Sequence, residues 1–280
     1  MLKNITVGLL QQFTSYLKYE EREQSTIEKY LRDIQAFVNW LQKEELTKEK
    51  LTAYKEYLIM KKYNPKTING ILSAINKFLT FVGCAELKVK YLRIQRQLFR
   101  SVGRELTKAE YQKLLDTAQT LGKERLSLLM QTICATGIRV SEVKYITVEA
   151  VKAGKAEISL KGKIRTILLT GKLCKKLLKY ARRQKINSGE IFLTRGGRGL
   201  GRKQIWADMK ALCQKAGVEA SKVFPHNLRH LFARTFYKVC KDVAKLADVL
   251  GHSSIETTRI YLISTGAEHL QTLNKLNLLI

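Results

Sequence analysis

The feature that most restricts how this chain can fold is the helical spacing of its apolar residues. Over the first hundred residues, apolar side chains recur every three to four positions, which predicts amphipathic α-helices. One such pattern starts at Ser25-Thr26-Ile27-Glu28, which is typical of a capping box, and another starts at Asn64-Pro65, with proline in the first turn. With a helix before these and one over 48–61, residues 1–86 are predicted to form a compact four-helix bundle.

The pattern changes after this bundle. Residues 87–104 lose the helical spacing but stay basic, so we predict an exposed linker that could lie along DNA. Regular structure resumes at Leu106-Thr107-Lys108-Ala109-Glu110, a second capping-box pattern, with a helix to about Thr120 and another over 125–135 that ends at Gly137. Residues 105–280 are therefore predicted to form a second domain.

One stretch of the second domain departs from helical spacing. Residues 156–160 and 165–169 read as two strands around Lys161-Gly162-Lys163, which predicts a β-hairpin with a basic tip. A basic helix over 172–185, a short strand at 190–193 and a helix over 203–216 are predicted to follow. The predicted fold class is mainly α, with a small antiparallel β-sheet.

The charge balance indicates the class of partner. The chain has 51 Lys+Arg against 24 Asp+Glu, a formal net charge of +27, and phosphate neutralisation by such residues gives sequence-independent affinity for nucleic acid. It has neither a long apolar span nor a signal-peptide pattern, so we expect no membrane partner. The five scattered cysteines lack metal-ligand spacing, which favours a reduced, cytoplasmic protein without zinc. With no phosphate-binding glycine loop, nucleotide hydrolysis is not expected.

Three of the four histidines lie between residues 226 and 261. His226 and Arg229 are three residues apart, so a helix would place them on one face, where a guanidinium can grip a phosphate and an imidazole can move a proton. Tyr261 follows His252 by nine residues, and one intervening turn could bring the two together. Surface charge and ordinary packing are the simpler explanations of each pair taken alone.

Two further segments supply basic side chains. Arg139 follows Gly137 near the start of a predicted helix, where free N–H groups favour an anion, and Glu142 one turn later could hold it in place. A surface ion pair is the alternative. At the hairpin tip, Lys161 or Lys163 could reach a leaving oxygen, although lysines at turns are commonly only solvated.

Taken together, two guanidiniums, a lysine, two imidazoles and a phenol suit phosphoryl transfer without a metal or cofactor. The arginines can neutralise developing charge, a histidine can assist deprotonation of the tyrosine, and a lysine can protonate the departing oxygen. A tyrosine can form a covalent phosphoester, which conserves the energy of the broken bond without ATP.

Four motifs resemble those of the tyrosine recombinase (phage integrase) family, with a layout most similar to Xer-type and small mobile-element integrases. They are A-T-G-I-R-V-S-E at 135–142, L-K-G-K at 160–163, H-N-L-R-H at 226–230 and L-G-H-S-S-I-E-T-T-R-I-Y at 250–261. The resemblance implies that the bundle is a SAM-like core-binding domain and that residues 105–280 are the catalytic domain, the two forming a C-shaped clamp on DNA.

The resemblance also implies roles for individual residues. Tyr261 would be the nucleophile that leaves a 3′-phosphotyrosine and a free 5′-hydroxyl, and Arg139 and Arg229 would clamp the scissile phosphate. His226 would be the general base and His252 would hydrogen-bond the phosphate. The remaining roles are an orienting carboxylate at Glu142 and a general acid at Lys161, with Lys163 as the open alternative. His230 is expected to be a packing residue or one that supports the catalytic side chains.

The implied function is site-specific recombination on double-stranded DNA with paired half-sites. An amphipathic tail after Tyr261 would join protomers into a homotetramer, folding back on its own domain being the alternative. A directionality factor or related recombinase is a possible partner, and the expected location is cytoplasmic and nucleoid-associated. The rival functions are DNA relaxation like that of a type IB topoisomerase, and a catalytically silent DNA-binding regulator. The sequence does not distinguish integration or excision from resolution or inversion.

Overall fold

The computed structural model describes residues 5–42, 44–94, 103, 105–160, 163–261, 270 and 274–275. The chain divides into two compact units, Met1–Arg96 and Gln97–Ile280. The finer predicted division into residues 1–86, a linker at 87–104 and residues 105–280 stays a prediction.

The described part of the first unit contains four α-helices: α1 (Val7–Tyr19), α2 (Gln24–Leu41), α3 (Lys48–Met60) and α4 (Pro65–Phe81). The predicted start of α4 is confirmed, since the Asn64 side chain accepts the Lys66 N–H at 2.9 Å. The capping box predicted at Ser25 is wrong. Gln24 is already helical, so the N-cap is Glu23 and Ser25 lies within the first turn.

Two apolar clusters fill this unit. Phe13 and Phe78 form one centre, with ring centroids 5.2 Å apart in an edge-on arrangement. Phe37 and Tyr54 form the other, with centroids 5.0 Å apart. Burial of these large side chains is the main force that holds the helices together, and the predicted helical bundle is confirmed.

Two asparagines on α4 bind the segment that follows the bundle. The Asn76 amide donates to the Val89 carbonyl at 3.0 Å and accepts the Val89 N–H at 3.1 Å. Seven residues earlier on the helix, Asn69 makes the same pair of bonds to Leu92, at 2.9 and 2.8 Å. Residues 89–92 are therefore held against the first unit, where an exposed linker was predicted; residues 95–102 and 104 lie outside the described residues.

Where the structure describes it, the second unit is mainly helical and contains one hairpin. Its helices are α5 (Lys108–Thr120), α6 (Glu124–Thr136), α7 (Val148–Ala153), α8 (Gly171–Arg183), α9 (Arg202–Ala216), α10 (Pro225–Cys240), α11 (Val243–Leu250) and α12 (Ile255–Arg259). A short 3₁₀ helix, Val140–Tyr145, follows α6. Strands β1 (Lys155–Leu160) and β2 (Lys163–Leu168) pair antiparallel, with Leu160 opposite Lys163. The predicted fold class, mainly α with a small antiparallel sheet, is confirmed.

Local predictions in this unit differ in their outcome. The capping box of α5 is confirmed: Thr107 Oγ1 accepts the Glu110 N–H at 3.1 Å, and the Glu110 carboxylate accepts the Thr107 N–H at 2.8 Å. The strand predicted at 190–193 is instead two isolated bridges, Thr147 with Glu190 and Leu193 with Gly199, because the chain turns away after each pair. Among the described residues, no helix is long and apolar enough to cross a membrane.

Candidate active site

Arg229 is a fully buried arginine on α10, held by the ends of two other helices. Its guanidinium donates to the carbonyl of Gly137, just after α6, and at 2.8 Å to the carbonyl of Leu250, the last residue of α11. The last carbonyls of a helix lack intrahelical partners and carry partial negative charge, so both ends favour a cation. These carbonyls fix the position of Arg229 before any ligand binds.

Arg139 lies near Arg229 and is held by the buried carboxylate of Glu142. Its Nη1 donates to Glu142 Oε1 at 2.9 Å, and its backbone N–H donates to Glu142 Oε2 at 2.7 Å. The Glu142 side chain is 1% exposed, whereas that of Arg139 is 41% exposed. The pair is therefore not a surface ion pair, which was the alternative drawn from the sequence. Arg139 keeps an open side, and Nη2 approaches the Gly251 carbonyl at 3.4 Å.

Arg165, on β2, is a third arginine that the sequence analysis did not identify. Its Nη2 donates to Glu142 Oε2 at 2.6 Å, and its Nη1 donates to the Leu250 carbonyl, which Arg229 also uses. Burial is the main cause that lowers the pKa of Arg165, the positive charge of Arg229 and Arg139 adds to it, and Glu142 opposes it. Since an arginine stays protonated in proteins, three positive charges meet here around one carboxylate.

His252 links this arginine cluster to the tyrosine. Its Nε2 lies 2.9 Å from Arg229 Nη2 and its Nδ1 lies 2.8 Å from Thr258 Oγ1. Burial, followed by the charges of Arg229, Arg139 and Arg165, lowers the pKa of His252 to about 4. The imidazole is therefore neutral at physiological pH.

Tyr261 is buried, with 3% of its surface exposed, and three imidazoles surround its ring. His252 stacks on it at a centroid distance of 5.7 Å and 11°, His230 contacts it edge-on at 4.4 Å, and His226 lies at 6.2 Å. The packing role predicted for His230 agrees with its contact. Burial is the main cause that lowers the pKa of Arg229, and the Tyr261 side chain opposes this lowering.

His226 stands at the start of α10, one turn before Arg229. Burial, and then the charges of Arg229 and Arg139, lower the pKa of His226, so the ring is neutral near pH 7 and can accept a proton. Pro225 precedes it in the first turn, a position where its missing N–H costs no helical hydrogen bond.

The hairpin lysines stay unassigned. Lys161 lies outside the described residues, and Lys163 is the first residue of β2, so it lies in the strand and not at the tip of the turn. Of the predicted site residues, the structure brings together the five that supply Arg, His and Tyr side chains, and places Glu142 beneath Arg139. Arg165 and Thr258 are site residues that the sequence did not predict. Nothing in the local sequences I-R-T-I and I-E-T-T-R distinguishes these two side chains from ordinary surface or packing residues.

The assembled site is suited to an anion. Within the described part of the chain, no group of three or more His, Cys, Asp or Glu side chains could hold a metal ion. The Nε atoms of Arg165 and Arg229 are the buried side-chain N or O atoms without a hydrogen-bond partner there. Prearranged guanidiniums beside a phenol and two neutral imidazoles can bind a phosphate, stabilise added charge on it and manage the proton of an attacking hydroxyl.

Comparison with known proteins agrees with this geometry. A model described as the phage integrase family matches residues 104–268, and one described as the phage integrase N-terminal SAM-like domain matches residues 10–83. Tyrosine recombinase XerA of Pyrococcus furiosus is 28% identical over 99% of this chain and 96% of its own. Tyrosine recombinase XerD of Vibrio cholerae is 23% identical over 91% of each.

Solved structures show the same fold. XerH recombinase bound to difH DNA superposes with a TM-score of 0.71 at 17% identity, covering 97% of each chain. A lambda integrase tetramer bound to a Holliday junction gives a TM-score of 0.73 at 18% identity, covering 93% of this chain and 78% of that one. From the match over residues 104–268, the chain belongs to the phage integrase family of tyrosine recombinases, enzymes that exchange DNA strands.

Proposed function

We propose that this protein is a site-specific DNA recombinase that cuts and rejoins strands through a 3′-phosphotyrosine. The observation that carries the proposal is the convergence of distant segments: Arg229 contacts His252 at 2.9 Å, and the His252 ring stacks on Tyr261. The family membership and the recombinase relatives support the same function. They do not favour a topoisomerase or a silent regulator.

Arg139 and Arg229 bind the scissile phosphate in this proposal. Arg229 is fixed by helix-end carbonyls and Arg139 by Glu142, so neither has to reorganise as negative charge grows on the non-bridging oxygens. Preorganised donors of this kind are the largest electrostatic contribution to many phosphoryl transfers. Glu142 acts by holding Arg139.

Tyr261 is the nucleophile. Its oxygen attacks phosphorus, the phosphorus–O5′ bond breaks, His226 takes the phenolic proton, and a lysine donates a proton to the departing 5′-oxygen. A neutral His226 is competent as a base near pH 7 because its pKa is lowered. His252 hydrogen-bonds a phosphate oxygen. The reverse attack by a 5′-hydroxyl rejoins the strand and restores the tyrosine.

The relatives support the proposed DNA partner and assembly. XerH and lambda integrase are solved on DNA, the latter as a tetramer. We infer that this chain binds double-stranded DNA with paired half-sites as a homotetramer, in the cytoplasm at the nucleoid. A directionality factor or a related recombinase as an additional partner stays a prediction.

The tail after Tyr261 would join the protomers. The second unit has an open groove of about 690 Å³ between α5, α6, α8 and α10, lined by Tyr111, Leu231, Phe236 and the 85% exposed Val239, among others. It offers an apolar binding surface for the leucine-rich tail of a neighbouring protomer.

A Val239→Glu variant should bind a single half-site as wild type does, because the groove is not proposed to contact DNA. It should form fewer tetramers on paired sites in analytical ultracentrifugation. Unchanged tetramer formation would exclude this groove as the binding site of the tail.

The function is tested with a nicked suicide substrate that carries the DNA flanking the gene. Wild type, Tyr261→Phe and the matched control Tyr180→Phe, a buried tyrosine of the same unit, are incubated with it in EDTA and run on a denaturing gel. Wild type and Tyr180→Phe should give a slow protein–DNA band that Tyr261→Phe lacks. A band from Tyr261→Phe would show that another residue is the nucleophile. Relaxation of plasmids without a specific site would favour the topoisomerase alternative.

The general acid is identified by changing the leaving group. Lys161→Ala and Lys163→Ala are compared on a normal substrate and on one with sulfur at the bridging 5′ position. A thiolate leaves without protonation, so the variant that lacks the general acid should cleave slowly only at oxygen. The variant that cleaves both substrates at the wild-type rate is excluded from this role.

A further inference from the structure

Thr258 is a fully buried threonine on α12, three residues before Tyr261, and its side chain faces His252. Its Oγ1 lies 2.8 Å from His252 Nδ1, and its relative exposure is 0%. Buried hydroxyl groups are costly unless they are hydrogen-bonded, and this one is bonded to the imidazole that contacts Arg229. The position of the bond makes Thr258 a candidate for control of that imidazole.

The contacts on the two ring nitrogens determine where the proton of His252 lies. An arginine side chain has only donors, so the 2.9 Å contact with Arg229 Nη2 requires an unprotonated Nε2. A neutral imidazole then carries its proton on Nδ1, and Thr258 Oγ1 accepts it. Burial and the neighbouring arginines lower the pKa of His252 to about 4, which keeps the ring neutral.

A bound phosphate reverses this requirement. If His252 hydrogen-bonds a phosphate oxygen, as the proposed function requires, a neutral ring must carry its proton on Nε2. Nδ1 is then an acceptor and needs a donor. A hydroxyl can donate or accept by rotating about its C–O bond, so Thr258 can serve both states. The ring holds one proton throughout, losing it from Nδ1 and gaining one at Nε2 by exchange with water.

We propose that Thr258 is a positioning residue that fixes the orientation of His252 and lets its tautomer reverse when the scissile phosphate binds. This inference rests on the proposed function for its catalytic consequence, but the tautomer in the DNA-free protein is independent of it. Thr258 acts through His252 and does not touch the substrate.

The same residue connects His252 to the nucleophile. The Tyr261 N–H donates to the Thr258 carbonyl at 3.0 Å, so the two residues belong to one turn. If this turn were displaced, Thr258 would move away from His252 and Tyr261 would move away from the arginines at the same time. A site without its tyrosine in place would therefore also lack an oriented His252.

The first experiment observes the ring directly. The protein is labelled with ¹⁵N-histidine, and long-range ¹H–¹⁵N spectra distinguish a protonated from an unprotonated ring nitrogen; His252→Gln identifies the His252 signals. DNA-free wild type should show the Nδ1–H tautomer. In Thr258→Val a buried Nδ1–H would have lost its acceptor, so the ring should leave its contact with Arg229 and show mobility or a mixture of tautomers. A wild type with its proton on Nε2, or a Thr258→Val spectrum identical to wild type, would overturn the proposal.

The second experiment measures catalysis in single turnover on the suicide substrate. Thr258→Val keeps the shape of the side chain and removes the hydroxyl, Thr258→Ser keeps the hydroxyl, and Thr257→Val makes the same change at the exposed neighbour. Loss of one orienting hydrogen bond should slow adduct formation about tenfold in Thr258→Val, with DNA affinity unchanged. Thr258→Ser and Thr257→Val should stay close to wild type.

The outcomes separate this inference from the proposed function. Wild-type rates in Thr258→Val, or equal losses in Thr258→Ser, would overturn the role of the hydroxyl in a protein that does cleave DNA. If the wild type formed no adduct on any flanking DNA, the proposed function would fail, and the histidine spectra would still decide whether Thr258 orients the His252 ring.

Discussion

Gly251 is a position at this site where both the backbone conformation and the available space require glycine. It follows α11 with a φ of +64°, and a Cβ there would lie 2.5 Å from Arg165 Cδ and Nη1. Glycine therefore answers two requirements, a left-handed backbone and space for the arginine that shares Glu142. Any side chain at this position would move Arg165 from the Leu250 carbonyl.

We predict that Gly251→Ala is more harmful than the same change at Gly154. Gly154 ends α7 with a φ of +71° and has open space around it, so Gly154→Ala should cost about 1–2 kcal/mol for the backbone alone. Gly251→Ala adds overpacking, about 1–3 kcal/mol more. Urea denaturation and the suicide-substrate assay check this; equal losses in the two variants would contradict it.

The two site histidines make stability dependent on pH. Their pKa values are lowered in the folded protein, to about 4 for His252, from 6.5 in the unfolded chain. Near and below pH 6.5 the unfolded chain binds more protons, so the free energy of unfolding should fall as pH falls from about 7.5 towards 4. Carboxylates whose pKa is lowered in the folded protein, such as Glu20 at about 2, change the free energy of unfolding only below about pH 4.5.

Urea denaturation at several pH values between about 8 and 5 measures this effect. His252→Asn should weaken the dependence, since one of the two groups is removed. A free energy of unfolding that does not change over this range would mean that the histidines are not desolvated as the structure indicates.

At the residue scale, the sequence predicted the side chains with distinctive chemistry and the supporting Glu142, and missed Arg165 and Thr258. Arg139, His226, Arg229, His252 and Tyr261 stand in recognisable motifs. The role of Arg165 in the site depends on its contacts with Glu142, 23 residues away, and with the Leu250 carbonyl, 85 residues away. Residues this far apart in the sequence come together only in the tertiary structure, so no local sequence pattern predicts these contacts.

At the scale of elements, helix α4 holds the segment that follows the bundle through two side-chain amides. Asn69 and Asn76 offer donor and acceptor pairs to Leu92 and Val89, as a ladder of backbone groups does in a sheet. Asn76 is 8% exposed and Val89 is 6% exposed, so the inner pair is shielded from water.

We predict that Asn76→Ala lowers stability by about 2–4 kcal/mol, because it leaves a buried N–H and a buried carbonyl without partners. Asn69→Ala, whose bonds are only partly buried, should cost less. Thermal denaturation compares the two, and limited proteolysis should show faster cutting near residue 89 in Asn76→Ala. A larger effect at Asn69 would contradict the ranking by burial.

Element boundaries were predictable where the signal is local. Asn64-Pro65 and the Thr107–Glu110 capping box act within one turn, and both starts are confirmed. The Ser25–Glu28 pattern failed because the preceding residue had already joined the helix. Residues 190–193 have strand-forming side chains, but each bridge there has only one pair, and strand pairing depends on a partner elsewhere in the chain.

At the scale of the whole molecule, the net charge of +27 should control DNA affinity. Neutralising each phosphate contributes a slope of about −0.9 to the dependence of log affinity on log salt. We predict a slope steeper than about −5 for non-specific duplex, measured by fluorescence anisotropy over a range of salt. A slope shallower than about −2 would indicate that most of the basic residues do not contact DNA.

The crowding of Arg139, Arg165 and Arg229 around Glu142 has a consequence for the stability of the resting protein. Like charges held together in a partly dry site oppose folding, and a bound oxyanion relieves them, so mass action should couple folding to ligand. Low concentrations of sulfate or vanadate should raise the melting temperature of wild type more than that of Arg139→Gln. Binding of a DNA phosphate at this cluster should therefore stabilise the folded protein as well as start the reaction.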